Sequence, residues 1–257
     1  MKKLITPFEN LNRKTTTFIA LGWVAFLLVV WFVSSSIGTT HLFPTPGQVG
    51  TGFSQLFAEG LIVHLFSSLS LFLMAVVSSV AVSLVLAYMS PIPLFSPLAA
   101  FASKMRYLPL VGLSFYIAIL ISDARAIQTS MLVVFMSTFL ITSLLGMIND
   151  VPEQELDHAR TLGCTRWEVL SEVIIKGRLD YVFEVVRQNL AVVWMTLVTV
   201  ESILPSEGGL GFLIQNSGKL GNHGRIIALY IIILGLGLLI DGGLKSLRKI
   251  IFRFSKI

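Results

Sequence analysis

Residues 150–180 read DVPEQELDHARTLGCTRWEVLSEVIIKGRLD, the longest charged stretch of the chain. Asp150 and Glu153 bracket Val151-Pro152 as a capping box, with Pro152 in the first turn, where a missing N–H costs little. The helix that follows, EQELDHARTL, stops at Gly163, the residue type that most easily takes a left-handed cap. Thr165 and Glu168 form a second capping box, and a second helix, RWEVLSEVIIK, runs to another glycine cap at Gly177. Leu156, Ala159 and Leu162 make a narrow apolar stripe on the first helix. Trp167, Leu170, Val173 and Ile174 make a wider one on the second. Neither helix is long and apolar enough to cross a membrane. A capped amphipathic pair of this kind lies against something. Lipid headgroups or the underside of a helix bundle would serve, and so would a docking partner.

What surrounds the stretch decides the class. The 257-residue chain is 54% hydrophobic and only 13% charged, against the roughly 25% charged of an ordinary soluble protein. Its mean hydropathy is +0.83. So few charges cannot cover a soluble protein of this size, and disordered, collagen-like and disulfide-stapled classes are excluded as well. A lone cysteine, Cys164, permits no intrachain disulfide and offers no metal cluster. The net charge of +5 is gathered between long uncharged runs, as in membrane anchors, and does not point to nucleic acid.

A membrane span needs about 20 apolar residues. Residues 15–40 carry no charge and supply the first, too long for the apolar core of a cleaved signal peptide. Residues 60–103 are again uncharged, and Pro91 and Pro93 divide them into a second span, 61–89, and a third, 94–122. The third carries Lys104 and Arg106, then Pro109 and Gly112, so its helix is expected to break near its cytoplasmic end. The fourth span is 126–149, the fifth 182–204 with Arg187 and Glu201 inside it, and the sixth 225–244. Lys2, Lys3, Arg13, Lys14, Arg160, Arg166, Lys176, Arg178 and the cluster Lys245–Lys256 fall on one side. Only Arg125, Lys219 and Arg225 fall on the other, so both termini are expected in the cytoplasm. Ala75, Ser79, Ser83 and Ala87 recur every four residues on the second span, a stripe that lets helix backbones approach closely. Residues 43–59 should form a short external helix. Residues 207–220 should turn tightly at Gly-Gly-Leu-Gly before a short helix lying at the membrane interface.

The expected plan is a cytoplasmic stretch 1–16, a first transmembrane helix 17–38 and an external segment 39–60. A core of five spans, 61–244, follows with the loop 150–180 inside it, and then a basic cytoplasmic tail, 245–257. No Walker A, HExxH or GxSxG motif occurs, and Gly218-Lys219 lacks the upstream glycine of a phosphate loop. His41, His64, His158 and His223 are scattered and read as structural or solvated. The chain itself is not expected to hydrolyse ATP or to hold a metal or cofactor. Glu201, an acid near the outer end of a span, is a functional candidate by default. It is read either as part of an outer gate with the Gly208–Gly211 turn, or as a snorkelling or capping residue beside the Leu204-Pro205 exit. Arg106, beside the break at Pro109, would attract an anionic solute, or would anchor the chain at the membrane surface with Lys104.

DHARTLGCTRWEVLSEVII resembles the cytoplasmic motif of bacterial ABC-importer permeases: Glu-Ala-Ala, three residues, glycine, nine residues, then Ile-x-Leu-Pro. Asp157, His158 and Ala159 take the Glu-Ala-Ala places, Gly163 the glycine, and Val173 and Ile175 the two apolar places. Lys176 stands where the motif has proline. Arg187, Trp194 and Glu201 recur at the sevenfold spacing of the branch serving nitrate, sulfonates and taurine. Gly208 to Ile214 resembles that branch's Gly-Leu-Gly-Tyr-Leu-Ile ending, which places Gly209 and Gly211 with Glu201. Arg106-Tyr-Leu-Pro109 is similar to its Arg-x-x-Pro, and Phe43-Pro-Thr-Pro46 to its Pro-x-Pro. The resemblance implies an all-α, type I ABC-importer permease fold in the bacterial inner membrane. It implies coupling through Asp157–Gly163 to cytoplasmic ABC ATPase subunits, which would hold ATP and Mg. A second permease chain, copy or relative, and an external substrate-binding protein would complete the complex. The alternative is an ion-driven transporter or channel working alone. Such a protein would favour paired ionisable groups in mid-membrane, whereas Glu201 and Asp241 lie near opposite span ends here and Arg187 near the cytoplasmic end of its helix.

Overall fold

The computed structural model describes residues 12–37 and 44–253. Lys2, Lys3, Phe43, Lys256 and the side chain of Arg13 lie outside the described residues. Among the described residues eleven α-helices follow one another: α1 Arg13–Ile37, α2 Pro46–Ala58, α3 Leu61–Met89, α4 Ser96–Lys104, α5 Leu110–Leu120, α6 Ala124–Asn149, α7 Glu153–Thr161, α8 Arg166–Val169, α9 Leu179–Ile203, α10 Leu210–Lys219 and α11 His223–Ile251. Five of them, α1, α3, α6, α9 and α11, are each long and apolar enough to cross a membrane. The chain is a multi-pass, all-helical membrane protein.

The chain divides into two compact units: residues up to Glu59 with Ser217–Ala228, and Gly60–Asn216 with Leu229–Ile257. In the first, α2 opens with a complete capping box between Thr45 and Gln48. Its Gly52 lies so close to Gly224 that a Cβ would come within 2.9 Å of that backbone. Arg225, 4% exposed, forms a two-pronged ion pair with Glu59, the guanidinium fork matching the carboxylate geometry.

In the second unit α6 is central and packs against α3, α4, α5 and α9. Met131, Leu132, Met136, Leu140, Ile141 and Leu144 are at most 1% exposed, and their spacing of one, three or four residues keeps them on inward faces of the helix. Asp123 caps the start of α6 by accepting the Ala126 N–H at 2.7 Å. The small-residue stripe behaves as expected. Ala75, Ser79, Ser83 and Ala87 are fully buried, and the Ser79 and Ser83 hydroxyls reach the Val133 and Ser137 carbonyls at 3.4 Å.

The third span breaks where expected: α4 ends in a 3₁₀ turn at Met105–Tyr107, Leu108 and Pro109 are extended, and α5 restarts at Leu110. Proline both lacks a donor and forces the preceding residue out of the helical region. Other expectations need correction. Helix α11 runs on past residue 244 to Ile251, so the first residues of the basic tail are helical. Neither glycine nor proline interrupts Leu244–Ile251, and basic residues suit a helix C-terminus. Asp150 does not cap α7. It closes α6, and the α7 N-cap is Pro152, without a side-chain cap bond. Gly177 is not left-handed either. Leu170–Lys176 forms π-helical turns, Gly177 has a φ of −67°, and its N–H reaches the Glu172 carbonyl at 2.9 Å. Glycine is needed there for space, since a Cβ would lie 2.6 Å from the Val173 carbonyl oxygen. One face of α10 is buried, with Leu210, Leu213 and Ser217 at most 2% exposed, while Gly218 and Lys219 at its end are exposed.

The α3–α6 contact leaves no room for growth. Ser79→Leu should destabilise the protein by about 1–3 kcal/mol through overpacking, read as a lowered thermal unfolding midpoint in detergent, while Ser79→Ala should be close to neutral.

Candidate functional site

The Gly208–Gly211 turn is held by side chains from two long helices. Gly208 and Gly209 have φ of +75° and +104°, which only glycine adopts freely. They deliver the chain into α10, whose first N–H groups have no carbonyl partner one turn back. The Gly209 N–H donates to His64 Nδ1 at 3.0 Å, the Leu210 N–H to Ser68 Oγ at 2.9 Å, and the Gly211 N–H to Glu201 Oε2 at 2.9 Å. Ser68 Oγ in turn lies 2.7 and 2.9 Å from the two Glu201 oxygens. A carboxylate at a helix N-terminus also meets the positive end of the helix dipole.

Glu201 is fully buried, which removes the snorkelling reading. It caps α10, not the exit of its own helix. A Cβ on Gly209 would overlap the Glu201 carboxylate, and one on Gly211 would run into the Val198 carbonyl. A second layer surrounds the knot. Ser202 Oγ donates to the Gly211 carbonyl at 3.0 Å, and Gln128 Nε2 to the Leu204 carbonyl at 2.7 Å. Arg125 donates to the Ser67 carbonyl at 2.5 Å and to Ser70 at 2.7 Å. His64 stacks on Phe212 with ring centroids 5.5 Å apart. Of these residues, sequence reasoning picked Glu201, Gly209 and Gly211 and missed Ser68, Arg125 and Gln128. His64, read as structural or solvated, accepts the Gly209 N–H.

At the other end of the same helices lies the α7–α8 pair. Gly163 has a φ of +87°, and the Gly163 and Cys164 N–H groups reach the Arg160 and Ala159 carbonyls at 2.9 and 3.2 Å, a complete Schellman cap. Thr165 and Glu168 form the expected capping box. The Thr165 N–H and hydroxyl hold the Glu168 carboxyl below its ordinary pKa. Leu156, Leu170 and Ile174 pack beneath the bundle against Ala87, Leu144, Ile148 and Val182. Leu162 and Trp167 do not share that face and are 73% and 68% exposed. Leu162 is six residues from Leu156, well off a helical stripe, and the π-helical turns after Leu170 shift the register beyond Trp167. Asp157 and His158 are exposed, Asp157 pairing with Arg160 at 2.8 Å, while Ala159 is buried. Val173 and Ile175 are half-buried.

Arg106 and Pro109 sit apart from both clusters, at the α4–α5 break that packs on α6. Pro109 is exposed and begins α5, and Arg106 Nη2 donates to the Tyr107 hydroxyl at 3.1 Å. Arg187 and Asp241 are paired, while Glu201 lies in the other cluster. Arg187 also bonds Glu184, which accepts from Arg248 at 2.8 Å. Among the described residues, no group of three or more His, Cys, Asp or Glu side chains could hold a metal ion.

No family model matches the chain. It is 28% identical to the taurine transport system permease protein TauC of Escherichia coli, over 93% of this chain and 90% of that one. A putative ABC transporter permease of Methanocaldococcus jannaschii is 30% identical over 49% of this chain and 48% of its own. The nitrate import permease NrtB of Synechococcus elongatus is 29% identical over 35% and 34%. Among solved structures, an amino acid ABC transporter aligns with a TM-score of 0.63 at 21% identity, covering 78% of this chain and 97% of that one. The MetNI methionine ABC transporter gives 0.62 at 16%, over 74% and 94%. The chain resembles ABC-importer permeases along nearly its whole length. Its fold is theirs.

The glycine knot can be tested directly. Gly209→Ala should speed amide hydrogen exchange across Gly208–Lys219 by about tenfold or more, since a Cβ at positive φ alone costs roughly 1–2 kcal/mol. Ser68→Ala should give a smaller increase confined to the first turn of α10.

Proposed function

We propose that the chain is the permease subunit of an ATP-binding-cassette importer for a small anionic solute of the nitrate, sulfonate or taurine kind. Both termini face the cytoplasm in this reading. The α7–α8 pair docks on a separate ATPase that holds ATP and Mg. A second permease chain and an external binding protein complete the assembly. The observation that carries the reading is the split face of the pair. Leu156, Leu170 and Ile174 fix it to the bundle, while Leu162 and Trp167 stand exposed beside Gly163. Exposed aromatic and aliphatic side chains on a rigid, capped corner suit a protein partner better than an aqueous surface. Asp157, His158 and Arg160 rim that corner with polar groups.

At the opposite end, Glu201, Gly209 and Gly211 set the position of α10 and form the outer gate. Arg106 and Pro109 border the pathway where irregular backbone breaks the third span, a place that tolerates such backbone only when it is buried in protein or faces a cavity. The paired Arg187, Asp241, Glu184 and Arg248 favour one other reading, an ion-driven transporter with no ATPase. Uptake that persists without any ATPase partner and collapses with an ionophore would select it.

Gly163→Val tests the leading reading. Valine in the left-handed region breaks the Schellman cap and tilts α7, but leaves the membrane helices untouched. Uptake into cells expressing the whole complex should fall at least tenfold, with the permease still in the membrane. Trp167→Ala should weaken ATPase co-purification, and Asp157→Ala should have a milder effect. Normal uptake with the ATPase still bound in Gly163→Val would return the pair to a headgroup anchor.

A further inference from the structure

One of the three acceptors that hold the start of α10 is an imidazole. The Gly209 N–H donates to His64 Nδ1 at 3.0 Å, and His64 stands in the first turn of α3. The backbone fixes the direction of the amide hydrogen, so Nδ1 is the bare nitrogen and Nε2 the protonated one in the neutral ring. A ring that takes up a second proton is a donor at both nitrogens. Donor then faces donor, and the bond is lost.

The packing gives the ring no way around this. Its flat face stacks on Phe212, with centroids 5.5 Å apart and planes inclined by 26°. The Gly208 backbone lies against its Nδ1–Cε1 edge, where a Cβ would come within 2.9 Å of Nδ1. A half-turn of the ring in its own plane keeps the stack but brings Cδ2 to the amide, and carbon accepts nothing. Gly209 is buried, so a stranded amide there is costly. The charges nearby are already engaged. From α9, Glu201 binds Ser68 and the Gly211 N–H. From α6, Arg125 is fixed to the Ser67 carbonyl and Ser70, and Asp123 is exposed and caps its own helix. Glu207, in the turn before α10, is exposed, and Glu59 is paired with Arg225. Helix α3 carries no Asp, Glu, Lys or Arg, and α10 none before Lys219.

We infer that His64 is an acid-sensitive latch on α10. Neutral, it holds the Gly208–Gly211 turn through the Gly209 amide. Protonated, it releases that amide and loosens the first turn of α10. Two glycines at positive φ then connect α10 to the rest of the chain, and glycine prefers no single backbone conformation. Histidine is the side chain whose ordinary charge change falls between about pH 5 and 8. The bond is therefore present at the alkaline end of that range and is lost as the pH falls through it. The inference stands on these contacts and does not require the transport reading, so either can fail without the other.

Amide hydrogen exchange of the full chain in detergent tests it at about pH 8 and about pH 5, with each rate corrected for intrinsic exchange at that pH. Protection of the amides from Gly209 to Leu213 should fall about tenfold on acidification, the weight of one buried hydrogen bond. Amides in the middle of α6, residues 131–144, should not change. His64→Asn puts an oxygen where Nδ1 stands and accepts at either pH, so it should keep the alkaline protection and abolish the pH dependence. Nitrogen NMR of the His64 ring in the wild-type chain gives a second reading: Nδ1 bare in the alkaline sample, both nitrogens protonated in the acid one. Protection that is equal at the two pH values overturns the inference, as does a ring that stays neutral in acid. A fall that survives His64→Asn also overturns it and assigns the titration to Glu201. Loss of protection across 131–144 together with α10 would show acid unfolding of the bundle in place of a latch.

Discussion

A backbone amide withdrawn from water must find its partner inside the protein, because hydrocarbon offers none. Long helices meet this constraint by themselves along α3, α6, α9 and α11. At the start of α10 they cannot. The N–H groups of Gly209, Leu210 and Gly211 belong to a first helical turn, yet this turn is buried. Three side chains, His64, Ser68 and Glu201, take one amide each. The arrangement explains why a carboxylate with no exposed surface sits at this point of α9. It also explains why glycine is needed on the other side, since any Cβ on Gly209 would displace the group that satisfies its neighbours.

The other breaks in regular helix follow the same logic with different means. Around Pro109 the missing donor is proline's own, so the chain loses nothing by opening there, and the Leu108 N–H finds the Met105 carbonyl at 3.0 Å. At Gly163 the unpaired carbonyls of α7 are closed by a Schellman cap. At Gly177 a widened π-helical turn keeps the amide bonded to the residue five back. Each device places a glycine or proline where its particular backbone freedom or deficiency is needed.

Much of this could be read from the residues. The uncharged runs located the long helices, the every-fourth-residue stripe from Ala75 to Ala87 located the α3–α6 contact, and Gly163 and Thr165–Glu168 located the turn between α7 and α8. The errors have physical causes. Asp150 and Glu153 have the spacing of a capping box, but Asp150 lies at the close of α6 and a proline takes the cap position, so the pattern matched in composition and failed in register. Leu162, six residues from Leu156, falls off a 3.6-residue stripe altogether, whereas Trp167 is separated from Ile174 by π-helical turns that break that period. Ser68, Arg125 and Gln128 gave no local signal at all. They matter through residues more than fifty positions away, and a serine in a serine-rich helix looks the same whether it faces lipid or a buried carboxylate.

The two clusters share their supports. Helix α3 contributes Ser68 to the polar knot and Ala87 to the apolar cluster beneath the bundle. Helix α6 contributes Arg125 and Gln128 to one and Leu144 and Ile148 to the other. Helix α9 contributes Glu201 and Val182. Between these ends the small-residue stripe locks α3 to α6 at close range, and the edge-to-face contact of Phe72 with Trp194, centroids 5.4 Å apart, ties α3 to α9. Helices joined at both ends and in the middle do not bend independently, because a close-packed interior has few intermediate arrangements. The same three helices therefore carry both the apolar packing under α7 and α8 and the hydrogen bonds that position α10, so neither cluster is built on a support of its own.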